Sequence, residues 1–357
     1  MMRVQDVTPW LYQRYRHFFD RLPSAAGMAV IFTLVDVSTG AFPVEWRTFI
    51  AAGVLVSGLL LPVAGYILFI AALAYPLFTI SVYIAALALS VLILCAFLCL
   101  HHLDAVVLLL VTPLLVPYQL APLVPLLAGL WWGEWGGVLM GAGSALWLKL
   151  FAGMCGIAPD IISMSTRILN TERLITRFHT ANSLQTLLWI WEPLSPHPEA
   201  LLFNILELLG WGLAGYGIGI MRHRMENMAR PYLGLLAGIS AAWLGVGAGS
   251  LAAPLALGLL QPSTLPISHL ANSLIEWGVS SVAAAVIYAA YRYLNRPVIP
   301  SSTRRGVVAH GRRESGPGDG VQAEIPAVYP AGAAGSAWVS LSSEEDGQED
   351  IIMIDLD

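Results

Sequence analysis

The chain has 357 residues, 57% of them hydrophobic and 11% charged, against ~25% charged in an ordinary soluble domain. A mean hydropathy of +0.70 and repeated apolar runs of span length exclude a soluble globular protein. The net charge of −5 says little about partners, because seven of the 23 acids fall in the last 14 residues and the rest of the chain is mildly basic.

The chain starts polar. Thr8-Pro9 reads as a helix start, with a cap residue followed by proline in the first turn. Leu11, Tyr15, Phe18, Phe19 and Leu22 then share one face, with Arg14, Arg16, His17 and Arg21 largely on the other. That pattern suits a helix lying in the membrane interface over residues 1–24, the alternative being a helix that docks on a partner protein. The apolar stretch Ala25 to Val35 ends at Asp36 rather than at a small-residue cleavage site, so insertion by the first membrane helices is expected.

Residues 25–296 form the expected transmembrane helical domain. A short span runs from Ala25 to Phe42, followed by Phe49 to Leu73 and Pro76 to Leu100, each long enough to cross a ~30 Å core. Asp104 to Trp132 is apolar but interrupted by Pro113, Pro117, Pro122 and Pro125, which leaves either one kinked span or two half-helices. Gly136 to Ile157 is a span with Gly137, Gly141, Gly143 and Ala145 suited to close helix approach and with Lys149 well inside it. The interval 158–199 is hydrophilic, with two short amphipathic pieces at the interface. Ala200 to Met221, Tyr232 to Leu260 and Ile267 to Tyr291 complete eight spans. The fold class is therefore an all-α polytopic integral membrane protein.

Beyond Pro297 the composition turns to Ser, Gly, Pro and Arg, then to Glu and Asp. A tail of this kind over 297–357 buries too little apolar surface to offset ordering entropy, so it reads as disordered. Its end, EEDGQEDIIMIDLD, is either a solubilising acidic tail or a β-branched run able to add a strand to a partner's sheet.

Lys and Arg near helix ends set orientation. A cytoplasmic N-terminus with eight spans places 13 of the 18 basic residues in the cytoplasm and leaves Arg47, Lys149, Arg167, Arg173 and Arg177 within or beyond the membrane. The expectation is a cell (inner) membrane protein with both termini cytoplasmic.

Ionisable groups inside a bilayer are rare and mark candidate sites. Counting from the outer helix ends, Lys149, Glu207 and Glu276 fall at about 12, 10 and 13 Å depth, with Asn204 and Asn272 slightly above and Asp36 at a comparable level. Two uses are open: a polar cavity for a small ligand or ion, or a Lys149–glutamate pair with asparagines clasping helices. The hexapeptides His179 to Leu184 (HTANSL) and His269 to Leu274 (HLANSL) match at five of six positions. They place His179, Asn182, His269 and Asn272 at a cavity mouth, or simply reflect helix-start chemistry. His101-His102 with Asp104 falls at the predicted outer end of its span and reads as solvated polar residues at a helix end rather than a metal site. Cys95 and Cys99, four apart in an apolar run, read as packing residues, and with Cys155 they make no disulfide framework. No phosphate-cradling glycine loop, nucleophile elbow or zinc-protease motif is found, and neither a catalytic role, a cofactor nor nucleic-acid binding is expected.

Pro122 to Trp147 (PLVPLLAGLWWGEWGGVLMGAGSALW) and Gly210 to Ile220 (GWGLAGYGIGI) resemble the substrate-binding membrane subunits of energy-coupling-factor transporters. The resemblance covers residues 76 to 291. It implies a helix bundle that captures a vitamin or metal ion from outside, with a membrane coupling subunit and cytoplasmic ATPases as partners. The two N-terminal spans, the long 158–199 interval and the acidic tail depart from that pattern, and no ligand-binding residue transfers by motif. The expected function is binding or transport of a small polar solute, the alternative being a membrane sensor or scaffold whose tail recruits a cytoplasmic partner.

Overall fold

A computed structural model describes residues 4–98, 102–156, 171–191, 194–227, 231–259 and 267–296. Among these the chain is helical, without strands: α1 (Val4–Arg14), α2 (Arg16–Thr39), α3 (Val44–Leu60), α4 (Pro62–Ile80), α5 (Val82–Leu98), α6 (Leu103–Leu115), α7 (Leu123–Met154), α8 (Thr171–Phe178), α9 (Ser183–Trp191), α10 (Pro198–Asn227), α11 (Pro231–Gly247), α12 (Ala253–Ala256) and α13 (Ile267–Leu294). A π-helical turn, Ala248–Ala252, joins α11 to α12. Among the described residues six helical stretches are long and apolar enough to cross a membrane, and the shorter apolar Val82–Cys95 and Leu103–Tyr118 accompany them. The protein is an all-α polytopic membrane protein. The tail 297–357 lies outside the described residues.

Several boundaries differ from the sequence expectation. Pro9 lies inside α1, and the interfacial segment and first span are joined, since α2 runs through Pro23 to Thr39. Leu11, Tyr15, Phe18, Phe19 and Leu22 are all exposed, as an apolar face toward lipid would be. The two expected spans 49–73 and 76–100 are three helices, because the chain leaves helical geometry at Leu61 (φ −138°, ψ 97°) and again at Ser81 (φ −166°, ψ 137°). Pro62 accounts for the first break, since proline disfavours helical geometry in the residue before it. A Cβ on Gly65 would come within 2.3 Å of Gly58 Cα, whereas seven residues of straight helix span about 10 Å, so α3 and α4 form a tight hairpin.

The proline-rich stretch is two half-helices rather than one kinked span. The first is α6, and the second is the opening arm of α7 up to Trp132. Between them Val116 and Ala121 are buried, and the Gln119 carbonyl accepts from Ser280 Oγ of α13 at 3.2 Å. Non-helical backbone is tolerated at membrane depth where protein surrounds it, as here. At Gly133 (φ 72°, ψ −157°) α7 folds back on itself. A Cβ on Gly137 would lie 3.1 Å from Gly129 Cα, against about 12 Å for eight residues of straight helix.

Gln13 Nε2 donates to the Arg296 carbonyl at 2.6 Å, so α1 and the end of α13 share one end of the bundle, here the near end. Arg21 donates to the Leu60 carbonyl at 2.8 Å and Arg222 to that of Trp131, which brings the α3–α4 and Gly133 turns to the same end. Because of the additional turn at Leu61, the start of α6, with His102 and Asp104, also falls at the near end. That corrects the expectation for the His101-His102-Asp104 group; His101 itself lies outside the described residues. The far end holds the α2–α3 turn, where buried Asp36 accepts from Arg47 Nε and from the Phe42 amide at 2.9 Å.

Among the described residues two large apolar clusters fill the bundle, beside a small third one at Ala105, Ala128 and Met140. One gathers Phe32, Val54, Tyr66, Phe69 and Val107 from α2 to α6. The other gathers Leu126, Leu148, Phe178, Trp211, Ile218, Leu235 and Trp277 from α7 to α13.

Candidate functional site

The second arm of α7 and α10 run antiparallel with their backbones touching. A Cβ on Gly215 would fall 2.0 Å from the Gly137 carbonyl oxygen, and one on Gly141 2.3 Å from that of Trp211. Only glycine permits this approach at positions facing the partner helix. Two turns further toward the far end the same register sets Lys149 opposite Asn204 and Glu207.

There Lys149 Nζ lies 2.9 Å from Glu207 Oε2, and neither side chain is exposed at all. Lys149 also donates to Asn204 Oδ1, while Asn204 Nδ2 donates to the Leu194 carbonyl at 2.6 Å. The Phe203 ring, 5.7 Å from Nζ, adds a cation–π contact. An ammonium so deep is tolerable only with such a set of partners.

The cluster lies below the α8–α9 hairpin. Neither helix is long enough to span, as the sequence suggested; instead Leu174, Phe178, Thr186 and Ile190 are buried on the bundle. Arg177 pins the hairpin by donating to the Gly153 carbonyl at 2.9 Å, at the C-terminal end of α7, where a cation complements the helix dipole. Its guanidinium also sits 5.0 Å from the Trp189 ring.

Of the residues singled out from sequence, Lys149, Glu207 and Asn204 are brought into direct contact. Glu276 and Asn272 lie on α13 and are partly exposed. Glu276 adjoins Trp277, whose ring packs edge-on against Trp211 at 5.9 Å, one turn along α10 from Glu207. The two hexapeptides do different jobs. Asn182 caps α9: its Oδ1 accepts from the Gln185 amide at 2.8 Å, and Gln185 Oε1 accepts from the Asn182 amide at 3.1 Å, a reciprocal capping box. His179 is exposed in the preceding turn. Asn272 sits instead within the α13 helix, so the match reflects no structural repeat, and the His269 side chain lies outside the described residues.

Two polar residues went unnoticed in the sequence. Trp211 Nε1 and Ser250 Oγ are buried and have no hydrogen-bond partner among the described residues. They flank the crossing where a Cβ on Gly210 would come 3.1 Å from Gly249 Cα, and Ser250 belongs to the π-helical turn. Turns of this kind recur at functional sites. A serine and a tryptophan among glycines look like packing residues in a sequence; only their shared burial sets them apart.

Among the described residues no group of three or more His, Cys, Asp or Glu is placed to hold a metal ion. No family model matches the chain, and neither a curated protein nor a solved structure is significantly similar to it.

Proposed function

We propose that this membrane protein binds or transports a small polar solute at the Lys149–Asn204–Glu207 cluster, with Trp211 and Ser250 as further polar contacts. The single observation that carries the reading is the fully buried Lys149–Glu207 pair between two glycine-packed helices, beneath a short hairpin rather than another span. A zwitterionic solute, with its carboxylate on Lys149 and its ammonium on Glu207, leaves every buried charge with a partner as it enters. The α8–α9 hairpin, held by Arg177, is the element that moves to admit it. Assembly with further transporter subunits, including ATPases, would supply the energy. The near end faces the cytoplasm, because Arg14, Arg16, Arg21, Arg222, Arg224, Arg292 and Arg296 gather there, against Arg47, Lys149, Arg173 and Arg177 toward the far end.

The test is mass spectrometry of small molecules that co-purify with the full chain in mild detergent. The Lys149→Met/Glu207→Leu protein, folded by its melting profile, is expected to lose a polar compound that the wild type retains. Identical small-molecule content in both would sink the assignment and leave the pair a structural one.

A further inference from the structure

A second site lies at the near end, away from the Lys149 cluster. A cleft of about 830 Å³ opens between the first arm of α7, the end of α10, the start of α11 and the end of α13. Its composition is sharply divided. Leu127, Leu130 and Ile287 give it an apolar floor, while Arg222, Arg292 and Arg296 stand among Tyr232, Tyr288 and Tyr291 at the rim. Among the described residues none that lines it is acidic. Arg292 lies over the Tyr232 ring at 5.9 Å, and Tyr232 packs edge-on against Tyr288 at 6.5 Å. A guanidinium held against a ring face keeps its in-plane N–H groups for oxygen acceptors, and its planar fork matches phosphate.

We propose that this cleft binds the headgroup phosphate of an acidic phospholipid. The arginines and tyrosines occupy the end turns of membrane helices, the level at which headgroups lie, and basic pockets between such helices recruit anionic lipids. The apolar floor distinguishes a lipid from a soluble phosphate: Leu127, Leu130 and Ile287 give the first part of an acyl chain a dry surface directly below the charged rim. The inference is independent of any solute at the far end and of which leaflet the near end faces.

The experiment is native mass spectrometry of the full-length protein in mild detergent, with phosphatidylglycerol or phosphatidylcholine added at equal concentration. Wild type is expected to retain phosphatidylglycerol preferentially. Arg292→Gln/Arg296→Gln should lower that retention roughly tenfold or more, at about 1 kcal/mol per basic residue near the surface. Arg292→Lys/Arg296→Lys should keep much of the preference. Leu233→Trp, a change at an exposed position lining the cleft, should reduce retention while every arginine stays in place. Equal retention of the two lipids, or an undiminished preference in the glutamine variant, overturns the proposal. Displacement of phosphatidylglycerol by millimolar inorganic phosphate would also overturn it, by making a soluble phosphate the occupant.

Discussion

Lys149 on α7 and Glu207 on α10 form an ion pair at 2.9 Å with no exposure on either side, in helices that cross at backbone contact two turns away. Removing one partner leaves an uncompensated charge. Glu207→Gln is therefore expected to destabilise the protein by about 3–5 kcal/mol, whereas Lys149→Met/Glu207→Leu should be near neutral or stabilising. Unfolding of the single and double variants in mixed micelles measures this. Additive losses would show that the two charges do not act as a pair.

The glycine crossing makes a prediction about size. Gly215→Ala puts a methyl group 2.0 Å from a backbone oxygen, where no flexible side chain can give way, so α7 and α10 must separate at a cost of about 1–3 kcal/mol or more. Gly278→Ala meets nothing within 4 Å and serves as the control, expected to be neutral or slightly stabilising. Melting temperatures in detergent should rank the two accordingly.

Arg177 holds the far-end hairpin by one charge-assisted hydrogen bond and a cation–π contact. Arg177→Ala should weaken the attachment by roughly 2–3 kcal/mol while leaving the membrane helices intact. Hydrogen exchange should then rise over 171–191 without a matching rise in α10. Uniform change across both would mean that the hairpin is not a separable element.

Tyr12 supplies a pH test outside the spans. Burial, reinforced by the 2.7 Å hydrogen bond it donates to Asp20, pushes its phenol from 10.0 up to about 12. Folding thus favours the neutral phenol. The contribution is complete below pH 10 and is lost as pH rises toward 12. Docking of α1, followed by hydrogen exchange, should weaken across that window in wild type and much less in Tyr12→Phe. A pH response unchanged by Tyr12→Phe would assign it to another group.

Much of the architecture was legible because bilayer burial leaves strong, local marks. Apolar run length identified the class, and polar groups at membrane depth singled out Lys149, Glu207 and Asn204. The turns were harder. Leu61 and Ser81 reverse the chain within what reads as continuous apolar sequence, since helix-to-helix hairpins buried by their neighbours need no polar loop. Gly133, by contrast, falls in the break between the expected spans ending at Trp132 and starting at Gly136. The misplacement of His102 and Asp104 followed directly from the hidden turn before Pro62. Asp36 was seen as a membrane-depth acid, but its pairing with Arg47 depends on the α2–α3 turn folding α3 back along α2.

The sequence by itself determined that the chain is a multi-pass helical membrane protein, where its glycines allow helices to touch, and which side chains carry charge into the apolar region. Tertiary structure decided which of those charges meet. Lys149 takes Glu207 and Asn204 because the Gly137–Gly215 contact sets the register between α7 and α10, a relation between residues 78 apart that no local pattern encodes. It also decided that Trp211 and Ser250 are buried polar groups, and that arginines from α10 and α13 surround one cleft. Such convergence depends on the fold-back at Gly133 and on how α7 and α10 to α13 pack, whereas composition and periodicity describe each helix alone.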